Sequence, residues 1–75
     1  MPRVRQIDLV YRVKTLRLLG YDISIEWAYG QPRCYNATGT IILSPRLRTG
    51  LMDLWLSGYV MGIEAEREKE MRTGQ

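Results

Sequence analysis

Seventy-five residues allow one domain (1–75), and so short a chain buries only about 60% of the surface its unfolded form exposes, which leaves it marginally stable. One Cys and no His exclude an intrachain disulfide and a Cys/His zinc site, so self-association or docking on a partner is the expected support. The net charge of +3 is uneven: residues 1–48 hold eight basic against three acidic side chains, and residues 49–75 hold three against five.

Residues 6–14 read two ways. Ile7, Leu9, Tyr11 and Val13 alternate with polar neighbours as in a strand, whereas Leu9, Val13 and Leu16 fall at i, i+4 and i+7 as in a helix. Asp8 as N-cap, the helix-forming run after Thr15, and Gly20 in the position of a terminating glycine favour a helix over residues 8–19. Ile23, Ile25, Trp27 and Tyr29 then alternate with Asp22, Ser24, Glu26 and Ala28, which predicts a half-buried strand. Gly30-Gln31-Pro32 supplies turn chemistry, and a second strand is expected over residues 33–43. Its apolar side is read as Tyr35, Ala37, Gly39, Ile41 and Leu43, its polar side as Cys34, Asn36, Thr38 and Thr40, with Gly39 marking a bulge or close approach.

Ser44 as N-cap and Pro45 at the first helical position predict a long helix running to about Glu70. Pairs such as Glu64/Arg67 and Glu66/Lys69 solvate its far end, and residues 66–75 are expected to fray. At 100° per residue the helix divides into three stripes. Arg46, Thr49, Asp53, Ser57, Glu64 and Arg67 form a polar stripe expected to face water. Leu47, Leu51, Leu54, Trp55, Gly58, Met61, Gly62 and Ala65 form a broad apolar face suited to covering the sheet. Met52, Leu56, Tyr59 and Ile63 form a second apolar seam, to be covered either by the first helix or by a second copy of the chain. The expected fold is therefore α+β: helix, β-hairpin, and a long helix packed on the sheet. A strand over residues 6–14 would give instead a three-stranded meander plus helix.

The inventory argues against catalysis. Without His the commonest general base is missing, Cys34 has only Arg33 to lower its pKa, and Asp22 and Glu26 lie about 13 Å apart along a strand. No glycine-rich phosphate loop occurs, and no metal or cofactor is implied. No stretch of about 18 apolar residues occurs and the first residues do not resemble a leader peptide, so no membrane association and a cytoplasmic location are expected.

Binding is the expected function. Trp27, Tyr29, Arg33, Tyr35, Arg46 and Arg48 are the candidate partner-binding residues, because Trp, Tyr and Arg dominate interface energetics. Two arginines at a helix start would oppose the helix dipole and so serve recognition rather than stability. The expected partner is a larger host protein assembly that handles nucleic acid, such as a transcription complex or a nuclease. The chain would act on it as a small regulator or inhibitor of the kind that phages and plasmids encode. The alternative is direct DNA or RNA binding by a small basic homodimer. Arg3, Arg5, Arg12, Lys14 and Arg17 would then track phosphates, whereas under the first reading duplex DNA binds only weakly and without sequence preference.

Overall fold

The computed structural model describes residues 4–73, with side chains through Met71. The order is α1 (Gln6–Leu18), β1 (Ser24–Ala28), β2 (Gln31–Tyr35) and α2 (Thr49–Thr73), an α+β arrangement with both helices packed on one hairpin. Residues 6–14 are helical, which removes the meander.

α1 begins two residues before the expected start. Arg5 is its N-cap, and Asp8, three residues on, accepts the Arg5 backbone N–H at 3.1 Å. An acidic side chain there also suits the positive end of the helix dipole. The other end is as the glycine foretells. Gly20 adopts φ +98, its N–H bonds the Arg17 carbonyl, and the Tyr21 N–H bonds the Leu16 carbonyl, both at 3.0 Å. This is a Schellman closure, with Tyr21 and Leu16 buried together in the core.

The hairpin is tighter than its sequence suggests. Ala28 pairs with Gln31, so the loop is Tyr29-Gly30 alone, and Gln31 and Pro32 belong to β2. Both loop residues have positive φ (+56 and +72), the geometry of a type I′ turn. Pro32 is tolerated because its pair with Trp27 lies between the hydrogen-bonded pairs, so the missing N–H would point away from β1.

β2 ends at Tyr35, eight residues before the expected limit. Asn36 stops it: its Oδ1 accepts the N–H groups of Thr40 (2.8 Å) and Ile41 (3.0 Å), and its Nδ2 donates to Thr40 Oγ1. Gly39, at φ +74, closes the turn back to the Asn36 carbonyl. The chain then returns along β2, bridging Ile42 to Tyr35 and donating from Leu43 to Cys34 and from Leu47 to Pro32. Because the strand stops, its face assignment inverts: Pro32 and Cys34 point into the core, while Arg33 and Tyr35 occupy the outer face with Glu26.

The same return explains why α2 starts at Thr49 rather than Pro45. Ser44 is not a helix cap; it is buried, and its hydroxyl accepts the Cys34 N–H at 3.0 Å and donates to the Pro45 carbonyl. Tertiary bonds to β2 keep residues 42–47 out of the helix and override the local capping signal. The argument from two arginines at a helix start therefore fails for Arg46, which precedes α2 in this returning segment.

The core is Leu9, Val13, Leu16, Tyr21, Ile23, Cys34, Met52 and Leu56. Beside it, Arg12 of α1 pairs with the Asp53 carboxylate and donates to Ser57 Oγ at 2.8 Å. The Tyr21 hydroxyl meets Glu64, and Arg67 lies 5.1 Å above the Tyr21 ring. Asp53 and Ser57 of the polar stripe are thus turned toward α1, while Glu64 and Arg67 stay exposed beside Tyr21. α2 continues to Thr73; the last two residues of the expected fraying segment lie outside the described residues, as does Arg3.

Candidate functional site

Among the described residues no helix packs on the outer face of the hairpin. Register places Ser24, Glu26, Arg33 and Tyr35 together there, and Ser24, Glu26, Tyr35 and Gly39 line a shallow depression. Arg46 reaches this face from the returning segment, donating to the Gln31 carbonyl at 2.9 Å and to Glu26 Oε1 at 3.3 Å. Glu26 is the organising group. Its carboxyl is held below the usual range by a hydrogen bond from Tyr35, then by the guanidinium of Arg46 and the charge of Arg33. Arg33 is half-buried, and its Nε is buried without a hydrogen-bond acceptor.

Tyr29 stands at the tip of this face. Its side chain is fully exposed and its backbone sits in the left-handed region. Asn or Asp is the residue type that hairpin position favours, and a bulky side chain at positive φ costs on the order of 1 kcal/mol. Tyr29 therefore burdens the turn and returns no packing to the fold.

The candidate binding residues thus divide. Arg33, Tyr35 and Arg46 gather around Glu26, with Tyr29 at the tip above them. Trp27 lies on the opposite face of β1, half-buried against the core. Arg48 is apart from both, beside Val4, Leu51 and Leu54. The basic tract assigned to phosphates is also partly committed: Arg5 pairs with Asp8 and Arg12 with Asp53, leaving Lys14 and Arg17 flanking exposed Leu18. Sequence reasoning missed Glu26; its register opposite Arg33 became readable only once the turn was fixed at Tyr29-Gly30.

The proposed self-association seam is internal where it is most apolar. Met52 and Leu56 are 0% exposed, with Met52 Sδ 3.5 Å from the Cys34 thiol. Tyr59 and Ile63 are half-buried against the same core, and Tyr59 stacks on Trp55 at 5.0 Å. Cys34 itself is fully buried rather than on a polar side, and burial pushes its thiol up to about 11.

Among the described residues no helix is long and apolar enough to cross a membrane. Compared with known proteins, the chain matches no family model, no curated protein and no solved structure.

Proposed function

We propose that the chain is a non-catalytic binding protein, a small regulator or inhibitor that docks on a larger protein assembly through the hairpin tip and its outer face. The observation that carries this reading is Tyr29: an aromatic side chain, fully exposed, on a backbone conformation that disfavours it. Residues retained against local stability belong to functional surfaces more often than to scaffolds. Tyrosine suits the role, since its ring gives a large rigid contact and its hydroxyl a hydrogen bond. Arg33 and the Tyr35–Glu26–Arg46 network supply the polar part of the same surface. The net charge of +3 is the ground for placing the partner among assemblies that handle nucleic acid.

Tyr29→Asn tests the reading directly. The substitution should raise hairpin stability by roughly 0.5–1 kcal/mol, because Asn-Gly is the favoured type I′ pair. Partner capture from lysate should fall at least tenfold, equivalent to about 1.4 kcal/mol. Equal capture by wild type and variant would remove Tyr29 from the recognition surface. Capture that disappears with nuclease treatment would favour instead direct nucleic-acid binding, through Lys14, Arg17 and the other exposed basic groups.

A further inference from the structure

The side of α2 turned away from the core is an apolar strip that no described part of the chain covers. Leu51, Leu54, Gly58, Met61, Gly62 and Ala65 follow one another along it, all exposed, with Leu54 at 69% and Met61 at 68%. At its middle the strip is bare backbone: a Cβ added at Gly58 or Gly62 would meet nothing within 4 Å. Large exposed apolar strips on small proteins mark contact surfaces.

Charge selects the occupant. Arg48 borders the strip at the start of α2, beside Leu51 and Leu54. At the other end Glu64, Glu66, Glu68 and Glu70 outnumber Arg67, Lys69 and Arg72 by one. A second copy of α2 laid parallel would set acidic end on acidic end; laid antiparallel, it sets each basic start against an acidic end. Side-chain size agrees. A two-fold axis through Gly58 brings Leu54 opposite Gly62 of the second copy and Leu51 opposite its Ala65. Each leucine then meets a small residue, and Arg48 comes level with Glu68 of the second copy. The two backbones cross where the glycines allow the closest approach.

We infer that this strip is the contact between two copies of the chain, paired antiparallel through α2 about Gly58. The contact is separate from the hairpin surface and does not depend on it. It also differs from the Met52–Ile63 seam, whose core positions are occupied within one chain.

Sedimentation equilibrium of the purified full-length chain, from micromolar to millimolar concentration, reads the association without any other partner. The wild type should pass from one chain to two. Gly58→Leu should weaken that association at least tenfold while the circular dichroism spectrum is retained. The added side chain enters open space in the single chain and improves helix propensity, so a loss of pairing cannot be ascribed to unfolding. Arg48→Glu should also weaken it, and mixing Arg48→Glu with Glu68→Arg should restore pairing. Under oxidation Gly58→Cys should cross-link to itself and Leu51→Cys should not, since only the first lies on the axis. A wild type that stays a single chain throughout would overturn the proposal, whether or not some other protein or nucleic acid covers the strip. So would Gly58→Leu pairing as tightly as wild type, or Leu51→Cys cross-linking to itself.

Discussion

The two apolar faces of α2 are built from similar residues and meet opposite fates. Met52 and Leu56 are sealed under α1 and β2, whereas Leu51 and Leu54, one or two residues away along the helix, remain more than half exposed. Of the broad apolar face only Leu47 and Trp55 pack against the core. A polar clasp accompanies the covered side: Asp53 and Ser57 engage Arg12, and Glu64 and Arg67 engage Tyr21. Those contacts set Asp53 and Ser57 against α1, while Leu51, Leu54 and Met61 of the broad apolar face lie outside. A polar stripe on a helix is therefore not always its wet side. Where a neighbouring helix offers the complementary charge, the stripe can steer docking, and the exposed surface is whatever remains.

The sharpest test of this contrast is truncation on the covered side. Leu56→Ala should cost about 2–5 kcal/mol in urea unfolding, as expected for a fully buried leucine whose cavity cannot collapse. A cost near zero would show that the seam is not the core.

The covered side also has a pH signature, through Cys34. Folding raises its pKa from about 9 to about 11, so the folded state holds its proton more tightly than the unfolded chain. Its contribution is fully present below pH 9 and is lost as pH rises through 11. The loss is on the order of 2 kcal/mol by linkage. Cys34→Ala should flatten that part of the stability profile; an unchanged slope would assign it to other groups.

The clasp itself is worth less. Arg12→Ala leaves the Asp53 carboxylate without its partner at a site about one-third exposed, for which about 1–2 kcal/mol is expected in the same urea experiment. The double variant Arg12→Ala with Asp53→Ala should recover part of this loss. Full additivity would mean that the pair does not couple.

On the open side the smallest effect is expected. Leu54→Ala, measured at a concentration where the chain is single, should change stability by no more than about 0.5 kcal/mol. A loss comparable to that of Leu56→Ala would erase the distinction between the faces.

Much of the scaffold was readable in the sequence because the signals were local. Leu9, Val13 and Leu16 mark the buried line of α1, and Gly20 marks its end. The alternation from Ile23 to Trp27 marks β1. What was not readable depended on partners distant in sequence. Ser44-Pro45 carries a strong helix-start signal, yet the Ser44 hydroxyl serves the Cys34 backbone instead. Asn36 reads as one more polar strand residue until its amide is seen closing the loop to Thr40 and Ile41. That one misplaced strand end moved Cys34 from the surface to the core. It also hid the grouping of Arg33, Tyr35 and Arg46 around Glu26. Of the candidate site, residue types located the hairpin tip, whereas the open strip of α2 could not be chosen over the seam, because both are apolar and only the docking of α1 distinguishes them.

The return of residues 42–47 along β2 has a consequence for how the protein can fail. It occupies the outer rim of that strand, so among the described residues the sheet has one bonding rim left, along Ser24–Ala28 of β1. A sheet with two vacant rims can add copies at both sides and grow into a fibre. With one rim vacant, a rim-to-rim encounter between two such hairpins leaves none for a third. Growth stops at the first step, and the guard against filaments is a stretch of connecting chain rather than a row of charges.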